Sequence, residues 1–344
     1  MAYPKPLSQK TIDRMYRESG LTEEKIAFIG NLFDSAAALY GVSTLIDLWS
    51  VYKEYAGRIP AVRIHRKDLA VFSSIARREE HDYYIYEIDE IYSDEPRSDM
   101  QRLVVLREIP DLLSKNAIYA IEDQSMGKDF YIPDNLLSLK GHVVTEAEKR
   151  LSDFIGNLRA DAPELTSRWK KESFPSPHRG KKLKDFSYLD EAEKYVLDWY
   201  SGKIEGGPKK VQTSKVNALL RNNSGTMAER FFRDLRIDVF CGLFSFTKDI
   251  NAQIERLESV GVRLSANECK RFLSLLMEFN NSSHLYTNHG WAPSEMHSNS
   301  MRDYDGPLRI SFGPGIQKAI AEGKYSIDEF KARLEEMGID VSMD

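Results

Sequence analysis

Cysteine is nearly absent: Cys241 and Cys269 are the two thiols in 344 residues, too few for a disulfide framework. No apolar run approaches the ~20 residues a helix needs to cross a bilayer. The opening MAYPKPLSQK lacks the apolar core of a secretory signal. The expectation is a cytoplasmic protein with no membrane partner. Basic charge is not in excess either. Lys and Arg number 48 against 53 Asp and Glu, a formal net charge of −5. That argues against coating nucleic acid through overall charge but leaves a local basic patch open. The chain contains no nucleophile elbow, P-loop, dinucleotide-binding glycine pattern, HExxH or CxxC, and no carboxylate pair stands out for acid–base work. No cofactor is expected, and an enzyme is not the leading reading. What is present is ordinary globular usage, 42% hydrophobic and 29% charged, in a length that suits about two domains at ~150 residues each.

Pro4 and Pro6 block an early helix, so residues 1–22 read as a loosely held N-terminal arm. From residue 23 the apolar positions Ile26, Ile29, Leu32, Phe33, Ala36, Ala37 and Tyr40 repeat at helical spacing, with Gly41 where a left-handed cap belongs. Ser43 or Thr44 caps a second helix, and a third is expected over Arg66 to Arg78. Tyr83–Ile88 is aromatic and β-branched, a turn follows at Ser93–Ser98, and Leu103–Leu106 reads as the returning strand. Three helices followed by a hairpin is the element order of a winged helix-turn-helix. Thr145 with Glu148, Thr226 with Glu229, Ser265 with Glu268 and Ser326 with Glu329 have capping-box spacing and open later helices. Between them, residues 161–186 hold Pro175, Pro177 and a run of Lys and Arg, and read as a linker.

The fold expectation is therefore mainly α (α+β). It comprises a winged-helix-like module over 23–125, a connecting helix and basic linker over 126–185, and an antiparallel helical domain over 186–344.

Three groups of residues carry candidate chemistry. If the third helix is a recognition helix, Arg66, Lys67, Arg77 and Arg78 flank its apolar face, with Arg58 and Arg63 just upstream, placed to contact phosphates. The acids Asp82, Glu87, Asp89, Glu90, Asp94 and Glu95 in the hairpin oppose that contact. The basic stretch 168–184, with Trp169, Phe174 and His178 interleaved, has the composition of a single-strand grip but more commonly of a solvated linker, because charge runs in loops are common. His284, His289 and His297, with Glu295 or Cys269, are candidate metal ligands, although the five-residue spacing of the first two does not place them on one helical face. Cys241 sits in an apolar stretch and reads as a core residue.

Glu278-Phe279-Asn280-Asn281 followed by His289-Gly290-Trp291-Ala292-Pro293-Ser294-Glu295-Met296, together with Tyr131-Ile132-Pro133, resembles the tail and middle of a bacterial family of helical proteins of unassigned function. Some of its members carry a zinc motif of the kind found at the end of the SecA translocase. That motif is absent from this chain, so nothing about metal carries over, and the resemblance implies a mostly helical cytosolic protein of unassigned function. Physically, Asn280 and Asn281 are expected to end a helix, Gly290 to turn, Trp291 to plug a gap and Pro293 to start a short turn, together capping a bundle. The leading functional expectation is a non-enzymatic protein-interaction or adaptor module with a protein partner. A DNA-binding regulator is the first alternative, and a metal-binding protein or hydrolase built on His284–His297 is the second.

Overall fold

The computed structural model describes residues 3–92, 98–113, 115–139, 141–161, 179–187, 191–204, 225–244, 249–296, 308–309 and 341–342. The chain divides into two compact units, Met1–Ser294 and Glu295–Asp344. In the second unit the described strands are Leu308–Arg309 and Val341–Ser342, paired in parallel. The helix expected to open at Ser326 and Glu329 falls outside the described residues.

The first unit is mainly helical around a small three-stranded antiparallel sheet. Its first half runs α1 (Gln9–Glu18), α2 (Glu23–Tyr40), β1 (Val42–Thr44), α3 (Leu45–Arg58), α4 (Arg66–Ala76), β2 (Tyr83–Tyr86), the single turn α5 (Ile88–Ile91), β3 (Leu103–Leu106), α6 (Glu108–Leu112) and α7 (Lys115–Ser125). Helices α8 (Glu146–Asn157), α9 (Glu191–Tyr200), α10 (Met227–Phe240), α11 (Ile250–Ser259) and α12 (Ala266–Ser282) follow. Strand β3 is central, with Val42 opposite Val105 on one side and Tyr83 opposite Leu106 on the other. Sequence patterning shows β2 and β3 but not β1, three residues wedged between two helices.

Local chemistry explains the boundaries. Thr22 caps α2 by accepting from the Lys25 N–H, and Gly41 ends it at φ 70°. Thr44 and Asp47 form a reciprocal capping box on α3. Asp68 accepts the His65 N–H at the start of α4. Helix α12 runs to Ser282, so Asn280 and Asn281 lie within it and do not terminate it. Neither adopts a left-handed conformation; among the described residues, His289 is the non-glycine with positive φ.

The sheet is buried on both faces. Along β3 the side chains alternate: Val104 joins Phe33, Leu48, Phe72 and Ile85 in a core shared with α2, α3 and α4. Leu103 and Val105 join Val42, Ile118, Leu151, Phe231, Phe272 and Phe279 in a second core shared with α7, α8, α10 and α12. Strand period two sends neighbours to opposite sides. The continuous apolar run Leu-Val-Val-Leu is what a strand covered on both faces requires. Residues on either side of the 161–186 stretch thus share one core, and the domain boundary expected there falls inside the first unit. The N-terminal arm is likewise docked, not loose. Ile12 is 1% exposed, Tyr16 donates its hydroxyl to Glu79 at 2.7 Å, and the Ile85 N–H donates to the Tyr3 hydroxyl. Ile12 and Tyr16 are four residues apart and face α4 together.

Candidate functional site

The six basic residues expected to meet phosphate separate into two kinds. Arg77 is internal: its side chain is 13% exposed and bridges Glu87 at 2.7 Å and Glu90 at 2.9 Å. Arg102, which the sequence does not single out, closes the same network. Its Nε donates to Glu87 at 2.8 Å, one terminal nitrogen to Ser73, Ser74 and the Ala70 carbonyl, and the other to Asp99. This fastens the β2–β3 connection to α4. It also means that Glu87 and Glu90, two of the acids opposing phosphate contact, have cations already bound to them.

Arg58, Arg63, Arg66, Lys67 and Arg78 are exposed. Arg58 reaches the Ile132 carbonyl at 2.6 Å and a loose 3.7 Å contact with Asp134, itself 85% exposed. Arg66 lies over the Trp49 ring at 5.9 Å, which ties the start of α4 to α3. Arg63, Lys67 and Arg78 make no ion pair among the described residues. Four of these five cations fall within ten residues of chain around the α3–α4 connection. Lys67 and Ser74, seven residues apart, share one exposed stripe of α4, and Arg78 lies in the turn just beyond its C-terminal end. The opposite side of that helix is held down by Leu69, Phe72 and Ile75 in the core. Its main packing partners are α1, α2, α3 and the 99–101 turn, none of them from the later helices. Asp68 anchors the underside: burial raises its carboxyl, but hydrogen bonds from Lys25 at 2.8 Å and from the His65 N–H outweigh this and hold it below the usual range.

The histidines serve a different purpose. His284 Nδ1 sits 2.5 Å from the Gly290 carbonyl and its ring stacks on Tyr131. His289 Nδ1 sits 2.8 Å from the Lys128 carbonyl and its ring stacks on Phe130 at 4.0 Å. Burial lowers the His289 pKa. The Tyr131 N–H donates back to the His289 carbonyl, Trp291 Nε1 donates to the Asp129 carbonyl at 3.1 Å, and Lys128 Nζ donates to Thr287 and Asn288. Residues 284–291 thus clamp the 128–132 segment. Gly290 is required at φ 82°, since a Cβ there would lie 2.9 Å from Leu39. His297 lies outside the described residues, and among those described no three His, Cys, Asp or Glu side chains assemble as a metal site. Pro293 is half-buried beyond the clamp.

Of the basic stretch, residues 162–178 lie outside the described set. Lys182 pairs antiparallel with Arg159 and donates to Asn157 at 3.0 Å. Cys241 is fully buried, and burial pushes its thiol pKa up, away from nucleophile chemistry. Among the described residues no helix is long and apolar enough to cross a membrane. No family model, curated protein or solved structure matches the chain.

Proposed function

We propose that the first unit is a DNA-binding protein of winged-helix type. On this reading α4 is the recognition helix and the β2–β3 connection is the wing. Two features of connectivity support it: the order helix, strand, helix, helix, strand, single helical turn, strand over α2 to β3, and the placement of β3 between β1 and β2. The observation that carries the functional step is the separation of Arg77 from its neighbours. The internal acids take Arg77 and Arg102, while Arg63, Arg66 and Lys67 remain exposed at the start of α4 and Arg78 just past its end. Exposed cations on a helix of this size suit phosphate contact beside a major groove.

The test is fluorescence anisotropy with a labelled DNA duplex across a salt series. Arg66→Glu, Lys67→Glu and Arg78→Glu combined should abolish binding while leaving the circular dichroism unchanged. Single neutralisations should each reduce the log–log salt slope by about 0.9 for every phosphate no longer neutralised. Unchanged DNA affinity in the folded triple variant would remove the proposal.

A protein-interaction role draws on a different place. Tyr119 on α7 and Met126 just beyond it are exposed, Met126 at 77%, seven residues apart beside half-buried Tyr92. A partner seated there would be lost with Tyr119→Ser and Met126→Ser and kept in the α4 triple variant.

A further inference from the structure

A second cluster of cations lies away from α4, and nothing in the DNA-binding reading uses it. Helix α10 carries Arg230, Arg233 and Arg236 at three-residue intervals, while Phe231, Phe232 and Leu235 hold its other side in the core. Across a cleft of about 590 Å³ stands Arg107, the first residue after β3. This volume lies in the range of small-molecule sites, roughly 300–1,000 Å³. The four guanidinium groups line the cleft from two sides, with His142 at its rim.

Four acids line it too, one for each arginine, and three of them are turned onto partners of their own. Glu229 is folded back onto the start of α10, accepting from the Thr226 N–H at 2.7 Å and hydroxyl at 3.0 Å. Asp111 takes the Tyr84 hydroxyl at 3.1 Å. Glu108 closes on Arg236 at 3.0 Å through one terminal nitrogen. Asp82 is exposed, and its carbonyl accepts the Arg107 N–H. Arg230 is 5% exposed, an arginine held out of water beside the cavity. Arg107 rests on the Tyr84 ring at 5.1 Å and meets the exposed Glu80 only at 3.6 Å. Its Nε is buried without a hydrogen-bond partner among the described residues. A guanidinium has five donors in a fixed fork, so Arg107 and Arg236 retain donors that their protein contacts do not use.

Arg233 is paired with Asp234 at 2.9 Å. We propose that this cleft is a binding site for a small phosphate-bearing anion, with Arg107 and Arg236 as direct ligands and Arg230 supplying positive charge. A tetrahedral phosphoryl group accepts from guanidinium forks on two sides at once, whereas a flat carboxylate presents one edge. The cleft is large enough for a nucleoside monophosphate and is half walled by Leu106, Leu112 and Tyr286.

Isothermal titration calorimetry of the full chain with inorganic phosphate, AMP and citrate tests this at low ionic strength. Phosphate and AMP should compete for one site. Arg107→Gln and Arg236→Gln should each weaken AMP about ten- to a hundredfold, the loss of a hydrogen bond to a charged group. Circular dichroism should report an unchanged fold in Arg107→Gln, whose side chain makes only the loose contact with Glu80 and the ring contact with Tyr84. The α4 triple variant should bind AMP as the parent chain does. No heat with either phosphate probe, binding of citrate alone, or unchanged AMP affinity in both folded arginine variants would overturn the proposal. So would displacement of AMP by duplex DNA, which would assign the cleft to a nucleic-acid backbone.

Discussion

The two faces of the three-stranded sheet are built by opposite strategies. One face is covered by chain neighbours: α2, α3 and α4 fold back on Ile85 and Val104 within about eighty residues of sequence. The other is covered partly by Ile109, Ile118 and Ile121 and completed by distant chain, with Phe231, Phe272 and Phe279 arriving more than a hundred residues after Leu103 and Val105. The near face is stitched by capping boxes and the arginine–glutamate network. The far face is closed by packing and by one backbone fit: Gly41, at φ 70°, lets the Tyr286 ring lie where a Cβ would come within 2.5 Å. The difference teaches that one β-strand, apolar at every position, makes the two halves a single unit.

The strongest way to break this comparison is to empty one side. Phe33→Ala on the near face and Phe279→Ala on the far face should each cost about 3–5 kcal/mol. Because the cores meet at β3, both variants should still unfold in one transition, with near- and far-ultraviolet signals coincident in urea. Two separated transitions would mean that the sheet does not couple its faces.

A smaller contrast lies between adjacent arginines. Arg77→Ala leaves Glu87 and Glu90 half-buried without their shared partner and should cost about 2–3 kcal/mol, below the ~3–5 of a fully buried pair. Arg78→Ala should change stability by no more than ~0.5 kcal/mol. Equal effects at the two positions would erase the distinction between structural and exposed cations on which the DNA-binding proposal stands.

The smallest effects are in pH, where two groups oppose each other. Burial first, then the nearby Asp47 charge, pushes Glu122 on α7 up to about 7. The folded state therefore holds this proton more tightly than the unfolded chain, and its contribution to stability falls as pH rises from the ordinary carboxylate value toward about 7. Burial lowers His289, so its contribution is lost as pH falls below its ordinary 6.5. Urea midpoints at pH 5 to 8 should show Glu122→Gln gaining on the parent chain at the alkaline end. His289→Asn should lose its relative disadvantage at the acid end. A parallel offset at every pH in either variant would refute its linkage.

Much of the near side is legible in sequence, because its signals are local. The helical period of 26–40, the Gly41 cap, the Thr44 box and the aromatic strand at 83–86 each act within a few residues. The far side is not. Leu-Val-Val-Leu signals double burial, yet nothing adjacent says that the second cover comes from 227–286. Arg77 and Arg78 look equivalent in sequence, and only the return of Glu87 and Glu90 from the hairpin tells them apart. His284 and His289 read as metal ligands because spacing does not reveal that both rings reach for backbone carbonyls in one clamp. The arginines of α10 pass unnoticed because their spacing looks like the polar side of any amphipathic helix. Arg107 joins them only through the fold.

The doubly covered strand also has a consequence in time. A chain leaving the ribosome releases β3 long before Tyr286. Those intervening 180 or so residues take roughly 10–40 s at ~5–20 residues per second. Through that interval the near face can close on itself, while Leu103 and Val105 have only the partial cover of Ile109, Ile118, Ile121 and Leu151. The far core is therefore completed only when the last core helix and the Gly41–Tyr286 fit arrive.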